Sequence, residues 1–570
     1  MSEVLLVASF SAPLAVLFFH MVSRRGEPWL VVLAPVPALL CAIAVPDGAV
    51  LDVPWLFLGS WLGMDATGRI FLGTSSLLWL LAALYGVRYL AEDDRRRRYC
   101  RFFLLAMIGN LGVAVAADAL VYLLFFAIMS FSVYGLVVHA NTVESLRAGR
   151  VYMVLVVAGE VLLFGALATL GPEVPDLRFH NLTNGIGFHP ARDWIMAMLV
   201  AGFGIKLGMV PLHVWLPLAH PAAPTPASAV LSGAMIKTGL LGWLRLLPLG
   251  LGGFSTWGWG LLLAGLGGAY YAVIVGLGQR EAKTVLAYSS VSQMGLMTAA
   301  VGAGLLAPEA WPLLNTAVCL YVVHHALAKA GLFLGVGVIK DLTDPRQHRI
   351  AVGVLIVLAG ALAGAPLTSG ATAKVALKSA LSAAGPLGSV PLDLLLTASA
   401  MGTAALMFRF WRIVRQPAGG AHATGSALTW APVGLLALLV LSFPWWTASF
   451  GPPWPWSVSG PVWSGIWPLA AGIVFGGGLE QLAARRGRSL VKIPPGDILE
   501  VGRILGREIR RREPVHRGAW AMLPRFRSEG DAAHRLEVLL GAAEEWLREW
   551  SVAGSAMIGV VLLLWWLIGY

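Results

Sequence analysis

VPLHVWLPLAHPAAPTPASAVLSGAMIKTG (210–239) is the stretch on which the reading of this chain turns. It is apolar enough to belong inside a membrane, yet Pro211, Pro217, Pro221, Pro224 and Pro226 interrupt it between Lys206 and Lys237. Proline lacks the N–H of the helical ladder and clashes with the preceding turn, so no continuous helix passes through. In a bilayer, a broken backbone is tolerated only where protein or a water-filled cavity satisfies the freed groups. His213 and His220 bracket the Trp-Leu-Pro turn within it. Discontinuous helices with polar residues at the break mark ion sites in transporters. A second break is expected near 366–370, at Pro366.

The rest of the chain agrees with a membrane setting. Of 570 residues, 58% are hydrophobic and 12% charged, with mean hydropathy +0.75. A soluble domain carries about 25% charged residues, so a water-soluble enzyme is excluded, as is disorder. Apolar runs of about 20 residues read as transmembrane helices. Sixteen are expected, at 3–22, 29–45, 68–90, 102–116, 118–139, 151–170, 194–212, 225–248, 257–278, 285–303, 312–338, 350–385, 392–411, 428–448, 463–483 and 552–570. The twelfth is too long for one straight helix. The alternation of a β-barrel is missing, so strands are not expected. The apolar start is long enough to be a first span rather than a cleaved signal peptide.

The net charge is +11. In a soluble protein that excess would point to nucleic acid. Here one set of alternate loops carries 17 Lys/Arg, among them Arg24, Arg95–Arg98, Arg147, Arg280, Lys283, Lys340 and Arg409, and the other set only Arg69, Arg178 and Arg192. The positive-inside rule puts the first set in the cytoplasm of a prokaryotic (inner) membrane and both termini outside. Residues 485–550 hold 14 Lys/Arg, 10 Asp/Glu and four prolines. They read as a cytoplasmic basic segment, ending at about 531–550 in an amphipathic helix for the membrane surface or a partner. Cys41, Cys100 and Cys319 share no spacing that indicates a disulfide framework, zinc or iron–sulfur site.

The lysines are partitioned unusually. Arginine fills the loops, while five of eight lysines (Lys206, Lys237, Lys329, Lys374 and Lys378) sit in apolar stretches. Arginine stays charged, whereas a buried lysine can give up its proton. A charge at mid-membrane costs from about 2.5 to more than 10 kcal/mol. Such a series can carry protons in steps; for any single lysine, snorkelling or a structural ion pair is the competing reading. Glu160 lies in the sixth span, and whether it faces Lys206 is open. His324 and His325 precede Lys329 by five and four residues, so His325 shares its helix face. Each histidine, His213 and His220 included, reads either as a relay group or as a packing residue.

With these residues in view, the 210–239 stretch strongly resembles the signature of the antiporter-like subunits of respiratory complex I, a family that includes Mrp-type antiporters and energy-converting hydrogenase membrane arms. EAKTVLAYSSVSQMG (281–295), HHALAKAGLFLGVG (324–337) and APLTSGATAK (365–374) resemble its further motifs, in its order and spacing. The resemblance covers roughly 60–415. It implies an all-α polytopic membrane protein with two inverted five-helix repeats and broken helices seven and twelve. The organisation expected is N-terminal helices (1–100), the two repeats (101–248 and 249–415), C-terminal helices (416–484), the basic segment (485–550) and a last helix (551–570). It implies Lys206 as the central seventh-helix site, Lys237 as the connecting lysine, His325 and Lys329 as its continuation, and Lys374 as the terminal site, with Lys378 able to share that role.

Two positions depart from the family pattern. LLFFAIMSFSVYG (123–135) puts Ala127 where a fifth-helix glutamate is usual, leaving Glu160 as a candidate replacement, and Leu218 stands where an acid often follows Trp-Leu-Pro. No cofactor or metal motif occurs, so the chain is expected to be non-catalytic alone, with other membrane subunits and a soluble redox partner on the cytoplasmic side. Two alternatives stand beside this. One is membership of a Mrp-type sodium/proton antiporter; the other is the proton channel of an inorganic-carbon uptake system with a soluble zinc-bearing partner.

Overall fold

The computed structural model describes residues 1–23, 27–54, 59–174, 176–385, 390–416, 426–447, 462–485 and 493–500. The chain is almost wholly helical. In order come α1 (Ser2–Val22), α2 (Pro28–Leu33), α3 (Val36–Ala44), strands β1 (Val50–Val53) and β2 (Ser60–Gly63), α4 (Ala66–Tyr89), α5 (Arg96–Val115), α6 (Ala119–Val137), α7 (Val143–Leu170), α8 (Phe179–Phe188), α9 (Arg192–Leu207), α10 (Trp215–Ala222), α11 (Thr225–Val230), α12 (Lys237–Leu246), α13 (Ser255–Leu277), α14 (Ala282–Leu306), α15 (Trp311–Asp341), α16 (Pro345–Ala363), α17 (Ser369–Ala383), α18 (Leu392–Val414), α19 (Ala427–Thr447) and α20 (Val462–Arg485). These helices belong to one compact unit, Met1–Val53 with Trp61–Asp497.

Among the described residues, twelve helices are long and apolar enough to cross a membrane, and the chain is a multi-pass membrane protein. The difference from sixteen has local causes. The 29–45 stretch is cut into α2 and α3 by Pro35. The 285–303 stretch forms the 25-residue helix α14, but Lys283, Ser289, Ser290, Ser292, Gln293 and Thr298 make it polar, and all are buried inside the bundle. The 463–483 stretch is helical as α20, which is not among the twelve counted over the described residues. The expected last span at 552–570 and amphipathic helix at 531–550 lie outside the described residues. Two features were not expected: the short β1–β2 ribbon and the helix α8, in a stretch read as a loop.

Helix starts follow local chemistry. Asp118 caps α6 by accepting from Val121 N–H at 2.9 Å, and Thr142 and Ser145 form a reciprocal cap on α7. The α13–α14 pair packs backbone to backbone. A Cβ on Gly265 would meet Gly295 O and Ala299 N at 2.5 Å. Small residues serve this purpose in membrane bundles, where apolar burial alone does not hold helices together. The centre is the helix pair α11–α12 and the helix α15, each 94% buried along its apolar window, against 28% for α1 and 33% for α7. Lys237 and Lys329 ride on these enclosed helices.

The two breaks share a device. Helix α9 ends at Gly208, at φ +78°, three residues before Pro211; α16 ends at Gly364, at φ +100°, two residues before Pro366. A left-handed residue closes the helix, and glycine reaches that conformation without a Cβ penalty.

Candidate functional site

Lys206 occupies the last turn of α9 and is 2% exposed. Its Nζ donates to Ser130 Oγ of α6 and to Tyr152 OH of α7, each at 3.1 Å, and lies over the Phe126 and Tyr152 rings. Tyr152 OH donates in turn to Ser130 O at 2.7 Å. Glu160 is two helical turns beyond Tyr152 on α7. Its carboxyl is close enough to Lys206 to interact electrostatically, and its buried Oε1 has no hydrogen-bond partner among the described residues. Ser130 lies one turn after Ala127 on α6. The acid near Lys206 thus comes from α7.

Helix α12 crosses α9 next to this site because position 239 is glycine. A Cβ there would stand 2.6 Å from Phe203 O and 3.3 Å from Lys206 Cβ. One turn earlier the chain makes a π-helical turn, Leu231–Met235. Such turns free carbonyls from the regular ladder, and Lys237 Nζ donates to Ser232 O at 2.8 Å. Ser232 Oγ meets Ser290 Oγ of α14 at 2.8 Å. Ser289, the neighbouring α14 hydroxyl, accepts from Lys329 Nζ, which also donates to Leu286 O at 2.6 Å. Hydroxyls therefore line the space between Lys237 on α12 and Lys329 on α15. Sequence reasoning missed Ser289 and Ser290, although both stand in the 281–295 motif; their orientation toward two lysines depends on how α14 is rotated.

Beyond Lys237 the arrangement branches. His324 lies within electrostatic reach of Lys237 and Lys374, and its Nδ1 is 2.7 Å from Ser369 Oγ at the start of α17. Lys374 Nζ donates to Ala363 O, at the end of α16, at 2.6 Å. On the other arm, His325 lies near Lys237 and Lys329. His220, stacked on Phe333 with centroids 4.4 Å apart, lies within electrostatic reach of Lys329 and Lys283, and neither ring nitrogen has a hydrogen-bond partner among the described residues. Lys283, read from the sequence as a loop cation, is 5% exposed and donates to Ala223 O at 2.7 Å and Ser228 Oγ at 3.3 Å. It lines a cavity of about 540 Å³ together with Asp93, His139, Pro224, Lys340 and Asp341. At its rim Asp93 Oδ2 is 2.8 Å from His139 Nε2. Burial raises the Asp93 carboxyl, but the hydrogen bond from His139 and the nearby Arg95 outweigh it and hold it below the usual aspartate value.

Two of the candidates sit apart. Lys378 pairs with Asp393 of α18 at 2.9 Å, with the two side chains 45% and 67% exposed. Its ammonium is turned away from the break that holds Lys374. His213, fully buried in the 3₁₀ turn Leu212–Val214, contacts Asp497. Asp497 belongs to the basic segment and carries no motif that would have singled it out.

Lys206, Lys237, Lys329 and Lys374 have no carboxylate within 4 Å among the described residues; their ammonium groups are held by carbonyl and hydroxyl oxygens. Residues 116–402, half of the chain, match the family model described as NADH:quinone oxidoreductase/Mrp antiporter, TM. The chain belongs to this family. The match contains Glu160, Lys206, Lys237, His324, His325, Lys329, Lys374 and Lys378, but not Asp497. Family members similar to it include hydrogenase-4 component B of Escherichia coli, 33% identical over 300 residues, covering 50% of this chain and 44% of that one. A Rhizobium meliloti protein, named as part of a probable K+/H+ antiporter, is 30% identical over 403 residues, covering 65% and 39%. The chain thus spans less than half the length of these two relatives. In fold it is similar to a chain of the Mrp complex from Dietzia sp., with TM-score 0.69 at 21% identity, covering 79% of this chain and 95% of that one.

Proposed function

We propose that this chain is a proton-translocating, antiporter-like subunit of a multisubunit respiratory membrane complex, complex I-like or hydrogenase-like. The observation that carries the reading is the run of buried lysines joined by hydroxyls and histidines across α9, α12, α14, α15 and α17. An amine held by a carbonyl and a hydroxyl releases its proton by breaking neutral-acceptor hydrogen bonds, without leaving a carboxylate unpaired beside it. Lys206, with Glu160 in electrostatic reach, is the modulated station. Lys237 is the branch point. The His324 arm leads to Lys374, and the Lys329–His220–Lys283 arm opens on the 540 Å³ cavity, the side from which the relay loads. That cavity lies on the arginine-rich face, which the positive-inside rule makes cytoplasmic, with both termini outside a prokaryotic inner membrane. Other membrane subunits hold the complex together, and a soluble redox partner on the cytoplasmic side supplies the drive.

The test is Lys237→Met in the assembled complex. Methionine keeps the length and burial of the side chain but carries no proton. Coupled proton translocation is expected to be abolished with assembly intact; normal flux would sink the relay. A second reading, cation/proton antiport without redox chemistry, is favoured by the Rhizobium relative, whose name states K+/H+ antiport and whose similarity covers 65% of this chain.

A further inference from the structure

The sequence IPPGD (493–497) folds as a tight turn inside the same compact unit as the spans. Asp497 N–H donates to Pro494 O at 3.1 Å and Gly496 has φ +82°. Proline then glycine at the two central positions is the composition of a type II turn, whose third residue needs positive φ. Three contacts seat this turn on the bundle. Gln279 Nε2 donates to Ile493 O at 3.1 Å. A Cβ on Gly496 would come within 3.3 Å of the Leu218 side chain, so a side chain there would push on the Trp-Leu-Pro segment. Asp497 Oδ2 accepts from Tyr271 OH of α13 at 2.5 Å and lies 3.3 Å from His213 Nε2. The carboxyl is 5% exposed and the His213 side chain 0%. Among the described residues, Tyr288 of α14 also faces this point, its ring edge-on to His213 with centroids 6.1 Å apart.

A buried carboxylate is retained only where donors compensate its lost hydration. Here the donors come from α13 and from the break that follows Lys206, whereas the carboxylate arrives from more than 280 residues along the chain. The span itself offers Leu218 at the adjacent surface.

We propose that Asp497 is a positioning residue for proton transfer: a carboxylate carried by the 493–497 strap that fixes the ring of His213 at the break in the seventh span and makes the pair a proton station. Only a proton moves. With Nε2–H donating to the Asp497 carboxylate, Nδ1, which is buried and without a protein partner among the described residues, is left as the free lone pair. It takes up a proton arriving along the relay and returns it in the next step, and the carboxylate stabilises the imidazolium in between. This rests on the proton-translocating reading.

The experiment measures proton uptake by vesicles holding the assembled complex, with backbone amide exchange across 493–497 followed on the same preparations. Slow exchange is expected in the unmodified chain. Asp497→Asn keeps an oxygen for the Tyr271 hydroxyl, so the strap should stay protected while uptake falls at least about tenfold. Adding Leu218→Asp to that variant places a carboxyl beside Gly496 and should bring uptake back to within about threefold. Unchanged uptake in Asp497→Asn overturns the proposal, as does fast exchange of the unmodified strap. Lost uptake without recovery in the double variant overturns it too, since a purely structural strap would behave that way. If Lys237→Met were also silent in the same assay, the relay reading would fail, and the exchange data would still judge whether the strap is seated.

Discussion

The Ser130 hydroxyl accepts from Lys206, and the Glu160 carboxyl lies within electrostatic reach of the same amine without a close ion pair. Such an acid can bias the amine without a tight pair whose separation would be costly. The arrangement gives a specific expectation for Glu160→Gln. Glutamine keeps the shape but cannot ionise, so coupled proton uptake should fall at least about tenfold with the fold unchanged; near-normal uptake would reduce Glu160 to a packing role. That an acid was missing at Ala127 and present at 160 was legible in the sequence. That Glu160 turns toward Lys206 was not, because facing depends on how α7 is rotated against α6 and α9. The same holds in reverse for Lys378. It lies one turn from Lys374 in an apolar stretch, yet packing leaves it in a half-exposed pair with Asp393, an interaction worth about 0–1 kcal/mol.

Helix breaks are the structural unit that places the lysines. The C-terminus of a half-helix carries roughly half a negative charge on unsatisfied carbonyls. Lys374 Nζ sits on one of them, Ala363 O, and Lys206 lies in the last turn of α9. Gly364 brings these parts together: a Cβ there would stand 3.0 Å from Lys374 Cδ and 3.4 Å from Nζ. Gly385, which follows α17 at φ +81°, has open space around its Cβ direction. Gly385→Ala should therefore cost only the left-handed backbone penalty, about 1 kcal/mol, with uptake unchanged. Gly364→Ala should cost more and also displace the Lys374 stem, lowering uptake. Thermal unfolding and proton uptake on the two variants check this; equal effects would mean that Gly364 serves only to end α16. Both breaks were expected from their prolines. The π-turn at Leu231–Met235 was not, since its register is set by the helices around it rather than by any breaker residue.

Across the whole molecule, polarity is sorted by distance from lipid. Helix α15 and the pair α11–α12 are enclosed, while α1 and α7 present Val4, Phe18, Val154, Val161 and Phe164 outward. Outward apolar side chains suit lipid or neighbouring membrane subunits equally. Gentle detergent purification from native membranes, with mass spectrometry of what stays bound, separates the two readings of function. Flavin- or iron–sulfur-bearing partners are the expected outcome and make the chain the ion-pumping arm of a redox machine. Small membrane subunits, or a soluble zinc protein, in their place would assign the same relay to antiport or to driving uptake chemistry.

Composition and run length determined the membrane setting, because a bilayer accepts only apolar helices whose backbone groups are satisfied within the segment. Proline positions determined where helices had to stop, and the loss of charge from all but a few buried positions identified the lysines as the chemistry. Only the tertiary structure decided which of these groups meet. It put His324 within electrostatic reach of Lys237 and Lys374, and His220 within reach of Lys329 and Lys283. It also brought Asp497 to His213 across most of the chain. Both outcomes depend on helix rotation and on contacts between distant segments, which local spacing does not encode.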